Sequence, residues 1–364
     1  MHRKHFGRLG YRKPTLEHLE DRLLLTGGIT ELPFPSGFGQ PFDIATGPDG
    51  NLWFTQETTG TNTISSDHIG RITPDGSVAE FPVPAVGTIV SLDGAGLHIT
   101  AGPDGNLWYT EIGVDKIARL SPSGAVTEFP IPTTGGNPGS ITAGPDGNLW
   151  FTEDVQSLPP ASFRLGNIGR ITTSGIVTEF PIATPNSTPS GIARGSDGNL
   201  WFTENLANKV ARITPGGIII EFEIPTADSG PTAITTGGDG NLWFVEGLAN
   251  RIGQITPNGS ITEFPVPTVN SRPYAITAGP DGNLWFTESI ANKIGQIFPS
   301  GRITEFPIPT ANSFPAGITS GPDGNVWFTE ETAGGIGPRG TRQLGKFVLF
   351  TLLLAALAGN RAEL

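Results

Sequence analysis

Six glutamates, Glu111, Glu153, Glu204, Glu246, Glu288 and Glu330, each stand three residues after a tryptophan, and Gln56 takes the same place after Trp53. Carboxylates at one repeated position converge when the repeats close into a ring, and converging oxygens can collect a divalent cation or a basic ligand. The plainer reading is a set of hydrogen-bonded glutamates that fix loops. Histidine, whose ordinary pKa lies between pH 5 and 8, is a further side chain suited to accept a proton. Only His68 and His98 fall inside the repeated region. His98 is a candidate base or ligand, whereas His68 stands where other copies carry lysine, on a surface strand. With no cysteine, disulfides, thiolate metal sites and cysteine nucleophiles are excluded. Asp-Gly-Asn resembles a fragment of a calcium loop, but each copy offers one aspartate and reads as a turn.

The elements that position these residues follow from the repeat itself. Asp-Gly-Asn-Leu/Val-Trp-Phe/Tyr is written seven times, and Trp53, Trp108, Trp150, Trp201, Trp243, Trp285 and Trp327 are all the tryptophans of the chain. A spacing of 42 to 55 residues suits one propeller blade. The copy from Ile261 to Gly301 holds four short apolar stretches. Ile261 to Pro267 carries prolines and must be an outermost strand, because proline cannot donate to a ladder. Tyr274 to Ala278 is small and β-branched, as an innermost strand should be. Asn283 to Glu288 is apolar on both faces, which suits a strand sandwiched between blades, and Lys293 to Ile297 is the fourth. Gly279-Pro280-Asp281-Gly282 and Phe298-Pro299-Ser300-Gly301 are tight turns. They share one face of the disc, and the longer, variable links share the other. The expected fold is all-β, a seven-bladed propeller over residues 29–337, closed when the leading strand Ile29 to Pro35 completes the last blade.

Fifty-one glycines and 33 prolines would elsewhere suggest disorder, but here they recur in phase with apolar strands and mark turns. A formal charge of -12 argues against a nucleic-acid partner. The basic residues recur once per blade on the fourth strand and are expected to pair with outer-strand glutamates on a solvated face. Three links are unusually long: Gln56 to Asp67, Glu153 to Asn167 and Ala85 to Leu97. They gather over one sector of the variable face, where recognition on rigid scaffolds usually resides.

The two ends differ from the repeat. Within residues 1–28, Leu19-Glu20-Asp21-Arg22-Leu23-Leu24-Leu25 resembles the LEPR-XLL segment of exported bacterial proteins, with Asp21 in place of its proline. That resemblance implies a secreted or cell-surface protein. Residues 338–364 break the pattern and are expected to add no blade strand. Their apolar run from Phe347 to Ala358 spans roughly 18 Å as a helix, short of the roughly 30 Å needed to cross a bilayer.

The phrase Ile-Thr-Ala-Gly-Pro-Asp-Gly-Asn-Leu-Trp-Phe-Thr-Glu, followed by Asn-Lys-Ile-Gly-Gln-Ile and Ile-Thr-Glu-Phe-Pro-Ile-Pro, resembles the virginiamycin B lyase family across the whole repeat. The resemblance implies a carbon–oxygen lyase that opens a cyclic depsipeptide, a streptogramin B, by elimination. A histidine base removes an α-proton while a divalent metal, Mg²⁺, steadies the developing charge. The family's two histidine positions fall on Tyr274 and Ala316, and a metal carboxylate position falls on Phe314. Only the glutamate at Glu330 is kept, and the equivalent Glu288 stands in the blade before. His98 lies one place beyond the family's histidine position, where strand alternation would turn it to the other face.

The sequence therefore predicts a monomeric, exported propeller that binds a small molecule, peptide or surface polymer through its variable face. Phe42, Gln56, Tyr274, Glu111 and Glu153 are the candidate ligand-face residues. The competing readings are a Mg²⁺-dependent lyase using His98 with Glu330 and Glu288, and a purely structural surface module.

Overall fold

The computed structural model describes residues 28–34, 39–57, 68–73, 76–84, 97–155, 165–331 and 343–347. They form seven four-stranded antiparallel sheets, and among them there is no helix. In the sixth blade the order from the axis outward is Pro273–Ala278, Leu284–Glu288, Lys293–Ile297 and Ile303–Pro307. These are called below the inner, tryptophan, basic and outer strands. All but the last residue of the expected export segment, residues 1–28, and most of the three long links lie outside the described residues.

The tryptophan strands are buried from their leucine or valine to the glutamate or glutamine three residues after the tryptophan, because they pack between two neighbouring blades. The indole reaches the rim through the preceding turn, where Trp285 Nε1 donates to Asp281 Oδ1 at 3.1 Å. The ring stacks on the outer-strand phenylalanine of its own blade, Trp285 on Phe306 at 5.8 Å. Gly295 of the basic strand lies under Phe286, and a β-carbon there would overlap the ring. Gly70, Gly169, Gly253 and Gly345 lie under the corresponding phenylalanine in the same way, while the second and fourth blades place Ala118 and Ala211 there.

Neighbouring blades are fastened near the variable face by threonine. Thr287 Oγ1 donates to Ala316 O at 2.9 Å and accepts from Ala275 N at 3.1 Å, so one hydroxyl joins two blades. The same contact closes the ring, where Thr329 Oγ1 donates to Phe42 O at 2.7 Å across 287 residues of chain. The expected pairing of basic strands with outer glutamates is present for three lysines, whereas Arg119, Arg170 and Arg212 approach the turn aspartates Asp104, Asp146 and Asp197 instead. Lys116 meets Glu128 at 2.9 Å, Lys209 meets Glu221 at 2.7 Å and Lys293 meets Glu305 at 3.0 Å.

Closure by the leading strand is also present. Ile29–Pro33 forms the outer strand of the seventh blade, paired from Ile29↔Phe347 to Pro33↔Gln343. Glu31 accepts Thr310 N and Thr310 Oγ1 at 2.7 and 3.0 Å, as Glu305 accepts the same two groups of Thr268 one blade earlier.

The partner of that leading strand corrects the expectation for the tail. Gln343–Phe347 is the basic strand of the seventh blade, paired with Val326–Glu330 on its inner side. The propeller therefore extends to residue 347 rather than ending at 337. Gln343-Leu344-Gly345-Lys346-Phe347 repeats the layout of Lys293-Ile294-Gly295-Gln296-Ile297, and Gly345 lies under the Phe328 ring. Lys346 reaches Asp323 at 2.6 Å, lies over Trp327, and holds the Asp323 carboxyl down to about 2 against the opposing effect of burial. A longer link after Glu331 displaced this strand from the repeat's phase. Residues 348–364 lie outside the described residues.

Candidate functional site at the channel mouth

Six of the seven inner strands carry a proline at or beside their start on the variable face and then depart from regular pairing, whereas the described inner strand of the second blade, Ile99–Ala101, pairs regularly. The register shifts between Pro41 and Ile44, and likewise in the blades starting at Pro138, Pro189, Pro231, Pro273 and Pro315. A bulge at this place interrupts the two-residue alternation and re-aims side chains. Three aromatic rings meet here from three blades. Phe42 lies edge-on to His98 at 5.7 Å between centroids and edge-on to Tyr274 at 6.2 Å. The alternation argument turned His98 away from this site, yet its ring meets Phe42 and Asp43, which lie within the neighbouring blade's bulge.

His98 has a partner that the sequence reading missed. Its Nδ1 lies 3.3 Å from Asp43 Oδ2, with both side chains partly exposed. Asp43 is fixed from behind, since Oδ1 accepts Ile44 N at 2.9 Å and Oδ2 accepts Ile99 N at 3.0 Å. An aspartate held this way orients the imidazole: when Nδ1 carries the proton toward Asp43, Nε2 keeps its lone pair. Asp43 could have been found in the sequence, because the residue just before the inner-strand isoleucine is small in the later blades: Ser140, Gly191, Ala233, Ala275 and Gly317.

The glutamate ring does not face this site. Glu111, Glu153, Glu204, Glu246, Glu288, Glu330 and Gln56 are all fully buried within the blades, so none of them lies open on the variable face. Burial raises the carboxyl of Glu111 to about 7 and those of Glu153, Glu204, Glu246 and Glu288 to about 8. The outer-strand glutamate of the same blade pushes the same way for Glu111, Glu204, Glu246 and Glu288. The outer member takes the negative charge: although burial opposes it, the Thr268 N–H and Lys293 hold Glu305 below the ordinary carboxylate range. Gln56 is the amide counterpart of the buried member, and its Oε1 accepts Gly39 N at 2.9 Å.

The positions that resemblance assigns to chemistry hold other groups. Tyr274 belongs to the aromatic cluster, Ala316 is buried, and Phe314 is 43% exposed with a positive φ of 49° just before Pro315. None of the three offers a carboxylate or imidazole. Among the described residues no three His, Cys, Asp or Glu side chains gather closely enough to hold a metal ion. The donor set of this chain does not fit Mg²⁺ at the place where the family resemblance would put it.

The family model described as the virginiamycin B lyase family matches residues 15–153 and 92–338. Among solved structures, selenomethionine-substituted virginiamycin B lyase from Staphylococcus aureus is 38% identical with a TM-score of 0.75, covering 89% of this chain and 99% of that one. A catalytically inactive histidine-to-alanine variant of the Staphylococcus aureus enzyme with quinupristin is 39% identical, TM-score 0.76, with the same coverage. A streptogramin B lyase structure is 36% identical, TM-score 0.75, covering 90% of this chain and 99% of that one. No curated protein sequence matches the chain. Among the described residues no helix is long and apolar enough to cross a membrane.

Proposed function

Because the chain belongs to the virginiamycin B lyase family but carries tyrosine, alanine and phenylalanine where that family's chemistry would sit, we propose that it binds rather than cleaves. The ligand is a small cyclic or peptidic molecule with an apolar or aromatic face, held over the channel mouth. The observation that carries this reading is the edge-to-face cluster of Phe42, His98 and Tyr274 at that mouth. The half-exposed Tyr274 ring offers apolar contact area, the buried Phe42 ring backs it, and His98 with Asp43 adds one oriented hydrogen-bonding group. The resemblance of Leu19 to Leu25 to an export segment supports action outside the cytoplasm.

A second reading has one observation in its favour. The contact between His98 and Asp43 resembles an oriented general base, so a lyase rebuilt around His98 is the alternative. Calorimetry with a streptogramin B depsipeptide, followed by mass spectrometry of the mixture, separates the two. Binding without linearisation is expected, with Phe42→Ala or Tyr274→Ala weakening affinity about tenfold or more. Linearisation above buffer that disappears in His98→Ala would establish the second reading, and a loss on adding chelator would bring Mg²⁺ back with it. Absence of both binding and turnover would sink both readings for this ligand class.

A further inference from the structure

The rim of the fourth blade differs from that of the other six. Its outer strand Ile219–Glu223 is a sheet edge, with the basic strand Lys209–Ile213 as its single strand neighbour. Ile224 N donates inward to Asn208 O, so by alternation the N–H groups of Ile219, Glu221 and Glu223 point outward. The equivalent of Glu223 is Pro33, Pro82, Pro130, Pro181, Pro265 or Pro307 in the other blades. Proline there removes an outward donor and blunts the edge against pairing. Only the fourth blade keeps the donor. Its strand also begins within an isoleucine run in which Ile218 and Ile220 are 66% and 42% exposed.

Charge marks the same strand. In the second and sixth blades one lysine meets one outer glutamate, Lys116 with Glu128 and Lys293 with Glu305. Here Lys209 is shared between Glu221 at 2.7 Å and Glu223 at 3.4 Å, and the Glu223 side chain is 77% exposed. Two carboxylates on one ammonium leave a net negative charge. Beside the strand lies a groove of about 500 Å³ lined by Pro181, Ala183, Gly217, Ile219 and Glu221.

We infer that Ile219–Glu223 is a docking edge for an extended peptide in which basic and β-branched residues alternate. Residues directly opposite one another in an antiparallel pair share a face. A β-branched residue opposite Ile220 covers the exposed isoleucines, and basic residues opposite Glu221 and Glu223 supply the missing positive charge, one of them over the groove. Main-chain bonds to the three outward N–H groups give affinity and the alternation gives selectivity. This surface is separate from the channel mouth, so it stands or falls independently of the ligand proposed there.

The test is fluorescence anisotropy of a labelled Arg-Val-Arg-Val-Arg-Val peptide on the full chain, with a Glu-Val repeat as control. Saturable binding to the basic peptide alone is expected, weakened by added salt. Glu223→Pro, which copies the other blades, should weaken it at least tenfold while leaving the melting temperature unchanged. If that variant does not fold, Ile220→Lys should produce the same loss. Backbone hydrogen exchange should slow at Ile219, Glu221 and Glu223 when peptide is bound. Equal affinity in both variants would reduce the binding to diffuse charge attraction and overturn the inference, as would no binding at millimolar peptide. Concentration-dependent dimerisation of the protein alone that Glu223→Pro abolishes would overturn it in favour of a second copy on this edge.

Discussion

Replacing Glu204, Glu246 or Glu288 by glutamine is expected to leave the melting temperature nearly unchanged at pH 5 and to raise it at pH 8 to 9. Each carboxyl has an ordinary value of 4.5 and is raised to about 8 in the folded protein, first by burial and then by the outer-strand glutamate of its blade. The folded state therefore binds a proton between those values that the unfolded state has released. Stability from such a group is fully present below the unfolded pKa and is lost as pH rises through the folded one. Each tenfold change in the protonation equilibrium is about 1.4 kcal/mol, so one site withdraws several kcal/mol by pH 8. Glutamine keeps the shape and has nothing to ionise, and Gln56 shows the first blade folding with the amide in place. Thermal unfolding followed across pH 5 to 9 should give a wild-type curve that falls and a variant curve that falls less. The gap should reach on the order of 5 °C. A wild-type stability flat over that range, or glutamine variants less stable at pH 9, would refute the picture of neutral acids inside the blades.

That result also bears on what the sequence could say about the glutamates. Their repetition was plain, and their position at the end of the tryptophan strand pointed to the variable face. The strand's end is near that face, but the blades pack so closely around it that the fifth residue is as buried as the first. A carboxylate ring thus became a set of separate interior acids. The fold was far more legible. Tryptophan spacing gave the blade count, and proline in the outer strands gave the radial order. The displaced first strand gave the closure. The missed element, Gln343–Phe347, obeys the repeat in layout but not in phase, so a fixed period passes over it. At the channel mouth, Tyr274 and Phe42 were visible as large residues in strands otherwise built from small ones. The contact of His98 with Asp43 was hidden, because it joins two neighbouring blades and the bulge in the first blade takes Asp43 off the alternation that a sequence pattern assumes.

Removing residues 1–34 is expected to cost the protein its cooperative unfolding, whereas removing residues 1–27 should leave the melting temperature within about 2 °C of the full chain. The difference is the strand Ile29–Pro33. Without it, Gln343–Phe347 becomes the edge of the seventh blade with a row of unpaired backbone groups. Thr310 loses both bonds to Glu31, and Phe54 loses the stacked ring of Phe34 at 4.9 Å. More than contact energy is involved, because this strand leads into the first blade and so ties that blade covalently to the seventh. Glu31→Gln separates the two contributions: it weakens the bonds to Thr310 by about 1–3 kcal/mol and keeps the strand, so it should lower the midpoint by a few degrees without broadening the transition. Light scattering during the melt should show the 1–34 truncation aggregating at temperatures where the 1–27 truncation remains clear. A truncated protein that melts sharply within a few degrees of the full chain would mean that the hydroxyl contact of Thr329 with Phe42 O and the packing of Trp327 against the first blade hold the ring shut by themselves.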